Sequence, residues 1–392
     1  MAQHQRRQCQ FIDDRAAVRR HLLEVVDSIG ERLDADQADG DRLRHLPPTT
    51  LAALRDSGLL ALKVPQGLGG YEADSALQFE VVERTAYFSS IAAWCLFIYT
   101  DSYGKAAAHL SEEGVELLSN KGTDPVMFGG GGLLFGTLKA ASGGVRISGR
   151  WIYGSGLAGA DWAMLFGKFP EDEGRDPLVC VVPQASVTSL DNWDVLGLKG
   201  TGSTDFTVTD IFVPDALTWP MPQPALRGGH MYAHSLIGFG GHAIPAVALG
   251  VARRALDDAA RLAASKARGY DQKITLAHRG AFQSFLGRAD LRLKAARGFV
   301  LDLCGNVAET PKLSSAQEAE FRAAGSYVVQ EATDIVTELI SYIGGDGIRA
   351  AKRFERAVRD LQTARTHFTV SNGAWENHAQ FLLGLDGADP LR

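Results

Sequence analysis

Two short stretches hold the residues best placed to do chemistry: Gly149-Arg-Trp-Ile-Tyr-Gly-Ser-Gly-Leu-Ala-Gly-Ala-Asp161-Trp, and further on Leu198-Lys-Gly-Thr-Gly-Ser-Thr-Asp205. Both put small residues and hydroxyls where a flat, polar-edged ligand can lie against backbone. The glycines of Gly154-Ser155-Gly156 allow close approach and positive φ. Ser155 then stands at a strand end, where it offers a hydroxyl and a backbone N–H to a ring nitrogen or carbonyl, while Trp151 or Tyr153 supplies a stacking face. A flavin answers that description. A β-turn with a solvated serine answers the same residues and stays open at this point.

The elements around these stretches follow from periodicity. Val145, Ile147 and Gly149 fall on one side of an extended run and Arg146, Ser148 and Arg150 on the other. Residues 125–222 form a central β domain of short alternating runs, with strands at Trp162–Phe169, Leu178–Val182 and Phe206–Val213. Residues 1–124 form an N-terminal helical domain. In it Val18, Leu22, Val25, Val26 and Ile29 keep helical spacing, Pro47-Pro48 precede a helix closed by Gly58, Leu62–Gly70 is a loop, and Ala76 to Leu118 makes two more helices. Residues 223–392 form a C-terminal four-helix bundle, with helices near 243–267, 280–308, 315–342 and 353–384. The fold class is α+β, mostly α.

Composition narrows the function. The chain has 392 residues, 45% of them apolar and 22% charged, a formal charge of −6 and no run of eighteen apolar residues, so it is expected to be globular and no membrane protein. With no apolar signal core at the N-terminus, a cytoplasmic location is expected. Basic residues are interspersed with acidic ones and leave no footprint for nucleic acid. Cys9, Cys95, Cys180 and Cys304 show no Cys-x-x-Cys pair, which disfavours zinc, a redox pair or a disulfide framework. His109, His230, His234 and His242 have no acidic partner nearby, so no metal is expected.

Several strings taken in order carry a family resemblance: Val64-Pro-x-x-x-Gly-Gly70, Ile147-Ser-Gly-Arg-Trp151, Ala160-Asp-Trp, Gly197-Leu-x-Gly-Thr-Gly-Ser203 and Val208-x-x-Ile-Phe-Val-Pro214. So do Phe282–Arg297 and Arg359–His367 in the last block. From about residue 15 to 385 the chain resembles the acyl-CoA dehydrogenase fold, and within it the group D flavin-dependent monooxygenases, the oxygenase half of two-component systems. A dehydrogenase of this fold needs a glutamate facing the flavin as base. After Arg359-Asp360 the sequence instead gives Arg365-Thr-His-Phe-Thr-Val, with no glutamate until Glu376, and no acidic residue lies between Asp215 and Asp257.

The resemblance therefore implies a monooxygenase that takes reduced flavin, FADH2 or FMNH2, together with O2, and hydroxylates a small aromatic or polycyclic substrate through a flavin hydroperoxide. The alternatives are an acyl-CoA dehydrogenase-type oxidoreductase and an N- or S-oxygenase of the same fold. His367 and Ser155 are the implied catalytic residues. His367 would hydrogen-bond substrate or peroxide and relay a proton with a pKa near working pH, and Ser155 would hold the ring edge, between the β domain and the bundle. Where many members carry a second histidine after a tryptophan, this chain has Ser102 or Tyr99. Arg268 resembles the arginine that meets flavin phosphate, and equally suits a helix end. Gly344 and Gly345, in Gly344-Gly-Asp-Gly347, resemble a glycine turn that approaches a neighbouring subunit's flavin, which implies a homotetramer or dimer. Trp94, Tyr99, Ser102 and Phe239 are candidate pocket residues or plain core. With no strand–Gly-x-Gly-x-x-Gly–helix unit for a nicotinamide cofactor, a partner flavin reductase must supply the reduced flavin.

Overall fold

A computed structural model describes residues 14–119, 127–170, 174–268, 271–349 and 353–391. Contacts gather the chain into two compact units. The first comprises Met1–Gln78, Trp94–Asp194 and Lys199–Ala233; the second comprises Phe79–Ala93, Val195–Leu198 and His234–Arg392. The expected boundary at 124 falls in 120–126, outside the described residues.

In the first unit, helix α1 (Arg15–Ala35) starts where the Asp14 carboxylate accepts the N–H groups of Ala16 and Ala17, so an acidic cap meets the positive end of the helix dipole. Short helices α2 (Gln37–Leu43) and α3 (Pro48–Asp56) follow; Pro48 fits the first turn of α3 because the missing N–H would have had no partner there. The stretch expected to hold two helices holds three, α4 (Ser75–Phe88), α5 (Ser90–His109) and α6 (Glu112–Ser119), because the chain breaks again at Leu110-Ser111; of these, Phe79–Ala93 belongs to the second unit. The segment Leu62–Gly70 is irregular apart from a 3-10 turn at Gln66–Leu68.

A seven-stranded sheet runs β5-β6-β2-β1-β3-β4-β7. In chain order its strands are β1 (Phe128–Ala141), β2 (Gly144–Trp151), β3 (Trp162–Lys168), β4 (Leu178–Pro183), β5 (Thr188–Ser189), β6 (Phe206–Pro214) and β7 (Thr218–Pro220). Neighbours are antiparallel except β1 and β3, which run parallel. Along β2, Val145 and Ile147 face the core and Arg146 faces out, as the alternation requires. The register against β6 then slips between Ile147 and Gly149. The extra residue lies on β6, where Asp210 has φ +53°, so β2 keeps its alternation and Trp151 stays on the core face, stacked on Phe206.

In the second unit the long helices are α8 (Ala243–Ser265), α9 (Gly280–Glu309) and α10 (Ser315–Ile343), with the short α7 (Leu236–Gly240) ahead of them. A capping box of Ser314 and Gln317 opens α10. A two-stranded ribbon of β8 (Ala267–Arg268) and β9 (Asp271–Thr275) follows α8. The helix expected over 353–384 divides into α11 (Arg353–Ala364) and α12 (Gly373–Leu382), with a 3-10 turn at Phe368–Val370 between them. Thr366 and Ser371 in that interval donate their hydroxyls to the nearby Thr363 and Phe368 carbonyls, and the Thr369 hydroxyl meets His367 Nδ1, local bonds that favour turns over helix. The span Leu236–Ser265 is the one helical stretch among the described residues long and apolar enough to cross a membrane, and 78% of its most apolar window is buried inside the fold.

Candidate active site

In the first unit Ser155 is buried, 5% exposed, at the turn after β2. Gly156 makes this turn with φ +70°, and a Cβ there would lie 2.5 Å from Cε1 of Tyr99, so only glycine lets the backbone press against that ring. Tyr99 closes the contact by donating its hydroxyl to the Gly156 carbonyl at 2.9 Å. The Ser155 side chain sits in a hydroxyl chain: Oγ lies 2.6 Å from Ser203 Oγ, which lies 2.7 Å from Thr201 Oγ1, and Trp94 Nε1 donates to Ser155 Oγ at 3.2 Å. The Gly-Thr-Gly-Ser string is thereby brought to the Ser155 turn. Backbone bonds secure the pairing, from Gly154 N to the Thr204 carbonyl and from Gly156 N to the Thr201 carbonyl.

Three expectations need correction here. The solvated-serine alternative fails, since Ser155 is inside the protein. Its backbone N–H is not presented to a ligand, because it turns back to the Tyr153 carbonyl at 2.8 Å. Trp151 offers no stacking face: its indole is fully buried in the sheet core, stacks on Phe206 at 5.8 Å and donates to the Phe166 carbonyl. Room for it comes from Gly136 and Gly149, where a Cβ would lie 2.4 and 2.8 Å from the nearest atoms, the indole among them. Tyr153, by contrast, is 57% exposed at φ +64° with its ring edge-on to Trp193. A non-glycine residue with positive φ costs on the order of 1–2 kcal/mol, and such strain gathers at functional turns.

Helix α5 carries Trp94, Tyr99 and Ser102, all buried. Tyr99 is engaged with the Gly156 turn, so of the two residues expected in place of a second histidine it is Ser102 that faces the sheet. A Cβ on Gly130 of β1 would lie 3.5 Å from Ser102 Oγ. Deeper along the same helix Asp101 forms a close ion pair with the buried Lys63. Burial raises the Asp101 pKa, opposed by Lys63, and lowers Lys105 to about 8. Lys105 donates to the Tyr232 carbonyl and Tyr232 to the Lys63 carbonyl, a buried cluster that the sequence did not announce.

In the second unit His367 lies beyond the end of α11 and caps the 3-10 turn rather than sitting on a helix. Its Nδ1 accepts the Thr369 N–H at 3.3 Å and meets Thr369 Oγ1 at 2.8 Å, which leaves the proton of the neutral ring on Nε2. Burial pulls its pKa down to about 4, so the ring is neutral at working pH and the expected titration near neutrality does not hold. Arg322 of α10 fastens the turn: Nη2 donates to the Phe368 carbonyl at 2.6 Å, and Nη1 to Asn377 and the Pro390 carbonyl. Glu376 is exposed on α12, while both oxygens of the buried Asp360 are taken, by Ser90 Oγ and the Leu198 N–H. Phe239 is buried in α7.

Gly344, with φ +60°, and Gly345 end α10 exposed, and Asp346 beside them pairs with Lys266. Arg268 closes β8, but its side chain lies outside the described residues. No cluster of three metal-ligating side chains occurs among the described residues. Cys95, Cys180 and Cys304 are free and buried, and burial pushes up the thiol pKa of Cys95 and that of Cys180, the latter to about 12.

Residues 242–372 match the acyl-CoA dehydrogenase C-terminal domain family, and the chain has the acyl-CoA dehydrogenase fold. It is 28% identical to a pigment production hydroxylase from a Rhodococcus species over 87% of this chain and 91% of that one. It is 26% identical to indole-3-acetate monooxygenase from Pseudomonas putida over 92% of each. The structure of XiaF from Streptomyces in complex with FADH2 and glycerol superposes with a TM-score of 0.86 over 96% of this chain and 98% of that one, at 23% identity. Further relatives are oxygenase subunits or components of flavin-dependent monooxygenases. The chain is a homologue of the oxygenase components of two-component flavin-dependent monooxygenases.

The polar groups suit a flavin. The Ser155 turn presents one buried hydroxyl, backed by further hydroxyls and an indole N–H, beside an exposed aromatic ring, and carries no charged side chain that would need a counter-ion. That set matches the edge of a neutral heteroaromatic ring.

Proposed function

We propose that this chain is an oxygenase component that uses reduced FMN or FAD, delivered by a separate flavin reductase, and O2 to hydroxylate a small aromatic substrate. The observation that carries the reading is the turn after α11, which presents a neutral imidazole while Glu376 faces solvent and Asp360 is committed to Ser90 and Leu198. A base for α-proton abstraction from an acyl thioester has no candidate there; a hydrogen-bond donor does. Reduced flavin, when bound, supplies the electrons that activate O2, so that one oxygen atom enters the substrate and the other leaves as water. Ser155 holds the ring edge and Tyr153 offers an aromatic face. His367 donates from Nε2 to an oxygen of the substrate, its orientation set by Thr369 and Arg322. Ser102 lines the substrate side near Gly130. The names of the relatives, an indole-3-acetate monooxygenase and a resorcinol hydroxylase among them, support an aromatic substrate. We further propose a homotetramer in the cytoplasm, where a reductase can share its product by diffusion.

The test is reconstitution with a generic flavin reductase, NADH, and FMN or FAD. Oxygen uptake should yield hydroxylated product from indoles or phenols at the expense of hydrogen peroxide. If every electron pair still emerges as hydrogen peroxide with each substrate, and acyl-CoAs bleach the oxidised flavin without oxygen, the dehydrogenase alternative replaces this reading.

A further inference from the structure

Arg322 and His367 grip opposite ends of one peptide unit. The Phe368 carbonyl accepts from Arg322 Nη2 at 2.6 Å, and the N–H at the other end of the same planar amide, that of Thr369, donates to His367 Nδ1 at 3.3 Å. A trans peptide holds its C=O and N–H antiparallel, so an oxygen fixed toward the guanidinium fixes the hydrogen toward the imidazole. The charge adds to this, because a carbonyl that accepts from a guanidinium makes its own amide N–H a stronger donor. The Thr369 hydroxyl does not decide which ring nitrogen is protonated: Oγ1, 2.8 Å from Nδ1, can donate to a bare nitrogen or accept from a protonated one. The Thr369 N–H can only donate. While it points at Nδ1 that nitrogen stays bare, and the neutral ring keeps its proton on Nε2. Were the peptide to turn over, Nδ1 could take the proton and give it to Oγ1, and Nε2 would become an acceptor.

The other arm of Arg322 is seated by two acceptors far along the chain. Nη1 donates to Asn377 Oδ1 at 2.5 Å and to the Pro390 carbonyl at 2.9 Å. Because the guanidinium is a rigid plane, anchors on one arm aim the other. Arg322 and Asn377 are both buried, so the grip is made inside the protein. We propose that Asn377 and the Pro390 carbonyl are positioning groups for His367: by seating Arg322 they hold the Phe368–Thr369 peptide and so fix the imidazole in the tautomer that donates from Nε2. Only the catalytic use of that proton rests on the reading of His367 as the substrate's donor; the tautomer itself does not.

Ring-nitrogen NMR of histidine-labelled, flavin-free protein at pH 7 reads the tautomer directly, with His367 assigned by its loss in His367→Gln. The wild type should show Nε2 protonated and Nδ1 bare. Asn377→Leu, and separately a chain ending at Ala388 that lacks the Pro390 carbonyl, should each move the tautomer ratio about tenfold toward Nδ1–H, the weight of one hydrogen bond. Arg322→Lys keeps the charge but cannot hold both anchors and the Phe368 carbonyl together, and should move the ratio further. Ser326→Ala is the control. Its hydroxyl lies 3.4 Å from the Ser371 carbonyl, beyond the Phe368–Val370 turn, so its loss loosens the same interval without touching the peptide and should leave the tautomer alone. In turnover with a flavin reductase, hydroxylated product per reduced flavin should fall in step with the Nε2–H population while hydrogen peroxide rises, and flavin binding should not change. Asn377→Leu and the shortened chain carry the test if Arg322→Lys does not fold. A wild-type ring protonated on Nδ1, a tautomer unmoved in all three variants, or an equal shift in Ser326→Ala overturns the proposal. If the tautomer shifts while product yield holds, the relay stands and it is the catalytic assignment of His367 that fails.

Discussion

His367 should behave as a buried neutral histidine, and its titration can be read in stability. Its folded pKa of about 4 lies below the 6.5 of a free imidazole. Between those values the unfolded chain holds a proton that the folded chain refuses, so stability falls as pH drops through this window and is flat above it. The full interval of about 2.5 pKa units corresponds to about 3 kcal/mol, and going from pH 7 to pH 5 alone costs about 2 kcal/mol. Burial is the cause, since the charged ring loses its solvation, and protonating Nδ1 would in addition set a proton against the Thr369 N–H that caps the Phe368–Val370 turn. Urea unfolding of the wild type and His367→Gln at several pH values between 7 and 4 isolates the effect, because all other titrating groups are shared. The variant's stability should fall less steeply by about 2 kcal/mol between pH 7 and pH 5. Parallel slopes in the two proteins would show that the imidazole is not held neutral by burial, and a histidine signal titrating near 6.5 in NMR of the folded wild type would say the same directly.

Four further outcomes are expected. Gly156→Ala must place a side chain at φ +70° and against Tyr99, and should cost about 2–4 kcal/mol in denaturant unfolding. Trp151→Phe should cost about 1–3 kcal/mol through loss of packing and of the bond to Phe166, yet leave flavin affinity unchanged; a tenfold weaker flavin would put the indole at the ring after all. Lys63→Met leaves Asp101 without its buried partner and should destabilise by about 3–5 kcal/mol, with much of the loss recovered in the double variant with Asp101→Asn. Glu376→Gln should leave turnover and flavin binding at wild-type levels, whereas a loss of activity would revive Glu376 as a base.

The sequence was most legible where local pattern and tertiary environment agree. Alternation located β3, β4 and β6 to within a residue, and helical spacing located α8, α9 and α10, since each buries one continuous face. It failed where contacts distant in sequence decide the outcome. Nothing in Gly149–Trp162 shows that Gly136 and Gly149 open a slot for the Trp151 indole, so an aromatic beside a glycine turn read as a ligand platform. Nothing near His367 shows that Arg322 holds its turn, or that burial removes its titration from neutral pH. The Gly-Thr-Gly-Ser string was visible as a hydroxyl-rich loop, but its union with Ser155 and Trp94 is made by β-strand pairing and helix packing, which no local pattern encodes.

The indole laid across Gly136 and Gly149 makes three positions on neighbouring strands a single unit of variation. An enlarged residue at either glycine is tolerable only when the aromatic has first been shortened, and a shortened aromatic leaves a void that an enlarged glycine position can refill. Engineers altering the face of this sheet should therefore move all three together, and homologous chains should show them drifting as a set.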